Sequence, residues 1–134
     1  DGVLADEGLT ADRMVVVGFS QGTMMALHVL PRRAEPVAGI VGFSGRLLAP
    51  ELLAAEVRVR PPVLLLHGDK DKLVSVKAAR AAAQRHPSWT YAEGHDLGHC
   101  PMFEDPEWVR DQIVGWLGAQ GLLPDEAERA RRAG

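Results

Sequence analysis

With 134 residues, 46% of them hydrophobic and 25% charged, the chain has the composition of a single soluble globular domain large enough to bury a core. A formal net charge of −3 removes the electrostatic reason to expect nucleic acid or an anionic membrane as a partner. The one cysteine, Cys100, excludes an internal disulfide and leans toward a cytoplasmic setting, and no apolar run approaches membrane-spanning length.

The chain opens in what reads as the tail of a helix, Asp1 to Glu7, closed by Gly8, with neither an initiating Met nor a signal-like segment. Met14-Val15-Val16-Val17 then has the β-branched, uninterrupted apolar character of a strand buried on both faces. A helix from about Gln21 to Leu30 follows, stopped by Pro31. Val37 to Phe43 is a second strand ending in Ser44-Gly45, and Pro50 to about Glu56 is a short helix with proline in its first turn. Val63 to Leu66 is a third strand, leading into His67-Gly68-Asp69. Ser75 caps a helix running to about Gln84, and Trp89-Thr90-Tyr91 is a fourth, shorter strand. The last long helix, about Asp105 to Gln120, places Val109, Ile113, Trp116 and Leu117 on one face. Residues 122–134 form a charged tail, expected as a solvated helix or frayed end. Strands alternating with helices predict a parallel sheet covered on both faces.

In such sheets chemistry gathers at the carboxyl ends of strands. Gly18-Phe19-Ser20-Gln21-Gly22 sets a serine between strand and helix in the G-x-S-x-G pattern of a nucleophile elbow, where flanking glycines are expected because side chains would collide with the neighbouring strand and helix. The pattern is weak alone and gains weight from the strand before it and the helix after it. Asp69 and Asp71 follow the third strand, and His95 and His99 follow the fourth, giving the chain order Ser, Asp, His. A serine hydroxyl needs a neutral imidazole to take its proton, and the imidazole needs a carboxylate to fix its tautomer and stabilise its charge. His95-Asp96-x-x-His99 also mimics the metal-binding H-E-x-x-H, but Gly94 and Gly98 oppose the helix that such a site requires, so no metal is expected. Cys100 lies outside the elbow and reads as a small buried hydrophobe.

Gly18-Phe19-Ser20-Gln21-Gly22-Thr23-Met24-Met25-Ala26-Leu27-His28 resembles the elbow of the phospholipase/carboxylesterase family of α/β-hydrolases, which includes acyl-protein thioesterases and small bacterial carboxylesterases. Ala38 to Gly45 resembles that family's next strand, and Pro62 to Val74, with its H-G-D-x-D-x-x-V core, resembles the segment carrying its acid. Ser75 stands where the family usually has proline. The resemblance implies a three-layer α/β-hydrolase sandwich, residues 1–134 being one domain that corresponds to the family's C-terminal half, with the N-terminal strands missing. It implies a serine hydrolase of carboxylic esters or thioesters, working without a cofactor on a small-molecule substrate through an acyl-enzyme. Ser20 would be the nucleophile, Asp71 the acid, and His99 the base, favoured over His95 because its distance from Asp71 is nearer the family's usual gap. His95 stays open, since Tyr91-Ala92-Glu93-Gly94-His95 is similar to the strand-then-Gly-His pattern of some bacterial members.

Three further expectations concern the residues around these. The backbone N–H of Gln21 would hold the oxyanion. Asp69 would act as a turn former bonding nearby amides, and His67 would belong to the strand's packing. Leu47, Leu48, Leu73 and Met102 follow strand ends and are candidates for an acyl pocket. If the half-chain reading holds, the elbow strand becomes an open edge prone to self-association. The isolated piece, lacking a second oxyanion amide, would then turn over weakly. The rival reading is a truncated or degenerate hydrolase fragment that serves as a binding scaffold.

Overall fold

The computed structural model describes residues 2–132. A short helix α1 (Gly2–Asp6) and a 3₁₀ turn (Ala11–Arg13) lead into β1 (Val15–Phe19) and α2 (Gln21–Val29). A second 3₁₀ turn (Leu30–Arg32), β2 (Gly39–Phe43), α3 (Pro50–Glu56), β3 (Val63–Gly68) and α4 (Val76–Arg85) follow. The chain ends with β4 (Thr90–Gly94), α5 (Pro101–Glu104), α6 (Pro106–Ala119) and α7 (Glu126–Arg132). Asp1 of the expected first helix, and Ala133 and Gly134 of the tail, lie outside the described residues.

The four strands form one parallel sheet in the order β1-β2-β3-β4. Val16 stands opposite Ile40, Ile40 opposite Val63, and Leu64 opposite Thr90. Alternate residues face opposite layers, as the two-residue period of a strand requires. Ile40, Val63 and Leu65 pack with Ala26 and Leu27 of α2, Leu53 of α3 and Ala82 of α4. Val41, Phe43, Leu64 and Leu66 turn the other way, against Val109 and Trp116 of α6. β2 and β3 are buried at every position, which explains their near-continuous apolar sequence. β1 lies at the sheet edge, with Val17 63% exposed and Phe19 42% exposed.

Several boundaries differ from the sequence expectation. Pro31 ends α2 as expected but sits inside the 3₁₀ turn that follows rather than in open coil. β2 begins at Gly39, Val37 and Ala38 leading in as an extended approach in which Ala38 N–H donates to Met14 O. β4 runs on to Gly94, because pairing of Glu93 with His67 and of Gly94 with Gly68 extends it through residues of low strand preference. The helix α5 was not anticipated; it is one turn long, too short to show a period.

Candidate active site

Ser20 follows the last residue of β1 with φ 51° and ψ −112°, a conformation that L-residues avoid. The surroundings over-determine it. Ser20 N–H donates to Phe43 O at 2.8 Å, and Met24 N–H donates back to Ser20 O at 3.1 Å. The buried Thr23 hydroxyl lies 2.8 Å from both Gly18 O and Phe43 O, tying the start of α2 to the ends of β1 and β2. A Cβ on Gly18 would lie 2.6 Å from Thr23 N and 2.7 Å from Gly22 C, so only glycine lets helix and strand backbones meet here. Gly22 corrects the expectation of two required glycines: a Cβ there meets nothing within 4 Å. Gly18→Ala is therefore expected to destabilise the fold by about 2–4 kcal/mol, whereas Gly22→Ala, inside a helix, should be neutral or stabilising by up to about 1 kcal/mol in urea denaturation. Equal effects of the two would contradict this packing.

The turn after β3 presents Asp71, whose carboxylate is buried. Its Oδ1 accepts hydrogen bonds from Leu73 N–H at 2.8 Å and Val74 N–H at 2.9 Å. Its Oδ2 lies 2.8 Å from Nδ1 of His99, so the His99 proton sits on Nδ1 and Nε2 is left as the acceptor nitrogen. Burial alone would push Asp71 up, but the Val74 amide, the His99 ring and the Leu73 amide together hold its carboxyl below the ordinary carboxylate range.

His99 is carried by the loop after β4, and that loop is pinned on several sides. Ser44, fully buried with φ 51° at the end of β2, donates its hydroxyl to His99 O at 2.7 Å. Gly98 N–H donates to both oxygens of Glu104, at 2.9 and 3.0 Å. Lys70 N–H donates to Leu97 O at 2.9 Å, and a Cβ on Gly68 would come within 2.1 Å of that same oxygen. The loop thus lies directly over the carboxyl end of β3. The Phe19 ring, adjacent to Ser20, stands 5.0 Å from the His99 imidazole. Among the described residues no hydrogen bond joins the Ser20 hydroxyl to His99.

His95 lies elsewhere on the rim. It is 86% exposed and pairs through Nδ1 with Asp69 Oδ2 at 3.1 Å and through Nε2 with Asp96 Oδ2 at 3.3 Å. Residues 95–99 form turns and bends rather than the helix that an H-x-x-x-H metal pair needs. The backbone-amide turn expected of Asp69 is made by Asp71 instead; Asp69 faces His95, and its Oδ1 is buried without a partner among the described residues. Cys100 is half-buried rather than fully buried. Leu47 belongs to the core beside α2 and α3, Leu48 and Met102 are half-buried, and Leu73 is 76% exposed. A cavity of about 220 Å³ opens at the opposite end of the sheet, between Leu53, Val57, Val63, Arg60, His86 and Trp89, remote from Ser20.

Sequence reasoning assigned no role to Ser44 or Glu104, though both anchor the His99 loop. The Ser44-Gly45 strand ending was the available signal. On β4, Glu93 is held down to about 2 by the hydrogen bond from Arg80 and then by that from the Tyr91 hydroxyl. Both Glu93 and Asp71 thus sit below their unfolded values, so the stability they contribute is present above those unfolded values and is lost as pH falls through the lowered ones, about 2 for Glu93. Urea midpoints measured across that range should fall with acidity, and Glu93→Gln should flatten the fall; an unchanged slope would contradict the assignment.

A parallel sheet flanked by helices, with a strained serine turn at one strand end and a carboxylate–imidazole pair at two others, is part of an α/β-hydrolase. Residues 2–101 match the phospholipase/carboxylesterase family, and the chain belongs to it. Acyl-protein thioesterase 1 of Neurospora crassa is 38% identical over 119 residues, covering 81% of this chain and 48% of that protein. Acyl-protein thioesterase 1 homolog 1 of Dictyostelium discoideum is 33% identical over 73 residues, covering 53% of this chain and 32% of its own length. Among solved structures, esterase PE8 superposes with a TM-score of 0.72 at 35% identity, over 82% of this chain and 55% of that one. A predicted hydrolase from Thermoplasma acidophilum, 23% identical, shares the fold with a TM-score of 0.72, over 86% of this chain and 54% of that one. The chain thus spans a third to a half of the length of these thioesterases. Among the described residues no helix is long and apolar enough to cross a membrane.

Proposed function

We propose that the protein is a serine acyl hydrolase that cleaves small carboxylic esters or thioesters through an acyl-enzyme. The observation that carries the reading is the 2.8 Å contact between His99 Nδ1 and Asp71 Oδ2, on the rim where β1 presents Ser20 in a strained turn. With Nδ1 committed to Asp71, Nε2 takes the Ser20 proton as Oγ attacks the acyl carbonyl, and the tetrahedral intermediate forms. His99 then returns the proton to the departing alcohol or thiol. Water attacks the acyl-serine ester by the same route in reverse, releasing the acid and regenerating Ser20. The backbone N–H of Gln21, at the first turn of α2, stabilises the oxyanion. Asp71 stays ionised throughout, oriented by the two backbone amides on its other oxygen. No step calls for a metal or an organic cofactor.

The family and the thioesterase names of its relatives support an ester or thioester substrate. Of the four apolar candidates, Leu48 and Leu73 remain for the acyl group, because Leu47 is committed to one core cluster and Met102 packs against the other. Turnover of p-nitrophenyl butyrate and of a butyryl thioester tests the reading: release of both leaving groups is expected, with a burst equal to the enzyme concentration if deacylation is slower. Release no faster than with Ser20→Ala would refute it.

A further inference from the structure

His67 is the penultimate residue of β3, and its side chain is 1% exposed. A histidine so deeply buried needs partners for its ring nitrogens. Its Nε2 lies 2.9 Å from Val74 O. A carbonyl oxygen only accepts, so Nε2 carries a proton and donates it. The same Nε2 lies 3.3 Å from Asp71 Oδ2, the oxygen that meets His99, and the Asp71 side chain is 0% exposed. Val74 closes the arrangement, donating its N–H to Asp71 Oδ1 while its carbonyl receives the His67 proton. Asp71, Val74 and His67 thus form a closed ring of contacts inside one turn. Across the sheet Glu93 pairs in register with His67, and Arg80 ties that carboxylate down.

We propose that His67 is a positioning residue for Asp71 and, through it, for His99. Its Nε2–H holds the 69–74 turn against the end of β3 and turns its positive edge toward Oδ2, so the carboxylate can neither rotate nor withdraw from the imidazole. The inference rests on the hydrolase reading for its kinetic consequence but not for its structural one. A histidine kept for packing alone would be replaceable by an apolar side chain of similar size. One kept for its donor would be replaceable by an amide that reaches the same carbonyl.

The test compares wild type with His67→Leu, which lacks a donor, and His67→Gln, whose amide NH₂ can reach Val74 O. Two readouts are taken: the proton NMR resonance of His99 Nδ1–H, and kcat and KM for p-nitrophenyl butyrate. In His67→Leu the resonance should move upfield and kcat should fall about tenfold with KM within about twofold, whereas His67→Gln should recover the resonance and bring kcat to within about threefold of wild type. If His67→Leu does not fold, His67→Asn, whose shorter amide does not reach Val74 O, takes its place. An unmoved resonance and wild-type kcat in the donor-free variant, or His67→Gln no better than it, would overturn the proposal. Wild-type turnover no greater than that of Ser20→Ala, but with the resonance shift present in His67→Leu, would refute the hydrolase reading and leave the positioning role standing.

Discussion

Ser20→Ala is expected to lower hydrolysis of p-nitrophenyl butyrate by at least about 10⁴-fold, with the fold intact. The size follows from chemistry rather than binding. Without Oγ no acyl-enzyme can form, and what remains is oxyanion stabilisation and proximity acting on water. The alanine should also be tolerated structurally: the contacts that hold the turn are made by the Ser20 backbone N–H and C=O and by Thr23, none of which the substitution removes. Thermal melting within a few degrees of wild type, combined with lost turnover, is the expected pair of results. Retained turnover would mean that another group does the chemistry.

The second large effect separates the two histidines. His99→Ala should cost about 10⁴-fold or more in kcat, and Asp71→Asn about 10⁴-fold, because an amide in place of the carboxylate would favour the wrong imidazole tautomer. His95→Ala should change the rate by no more than about fivefold, since an exposed pair with Asp69 contributes little. The reverse ranking would transfer the base to His95 and the acid to Asp69, the alternative pair that the structure also places within contact distance.

Much of this arrangement was legible in the sequence, for physical reasons that differ from element to element. α3 was readable because proline stands in its first turn, and α6 because an apolar stripe repeats at helical spacing. β2 and β3 announced themselves because burial on both faces leaves no room for polar residues. Legibility failed where tertiary contact rather than local preference decides. The extension of β4 comes from the ladder with β3, and the freedom at Gly22 from a helix face that touches no other residue there. Two aspartates two residues apart look alike in sequence; which one accepts the turn amides depends on where Leu73 and Val74 point. The anchoring by Ser44 and the donor role of His67 were hidden for the same reason, since a hydroxyl or imidazole at a strand end reveals its partner only once distant loops are in place.

The most direct test of the central claim is intact-mass spectrometry after incubation with a fluorophosphonate, followed by peptide mapping. A single adduct on Ser20 is expected, absent from Ser20→Ala, strongly slowed in His99→Ala and unaffected in His95→Ala. An adduct on another residue, or labelling of Ser20 that survives loss of His99 and vanishes with loss of His95, would contradict the assignment of Ser20, His99 and Asp71 as one reacting unit.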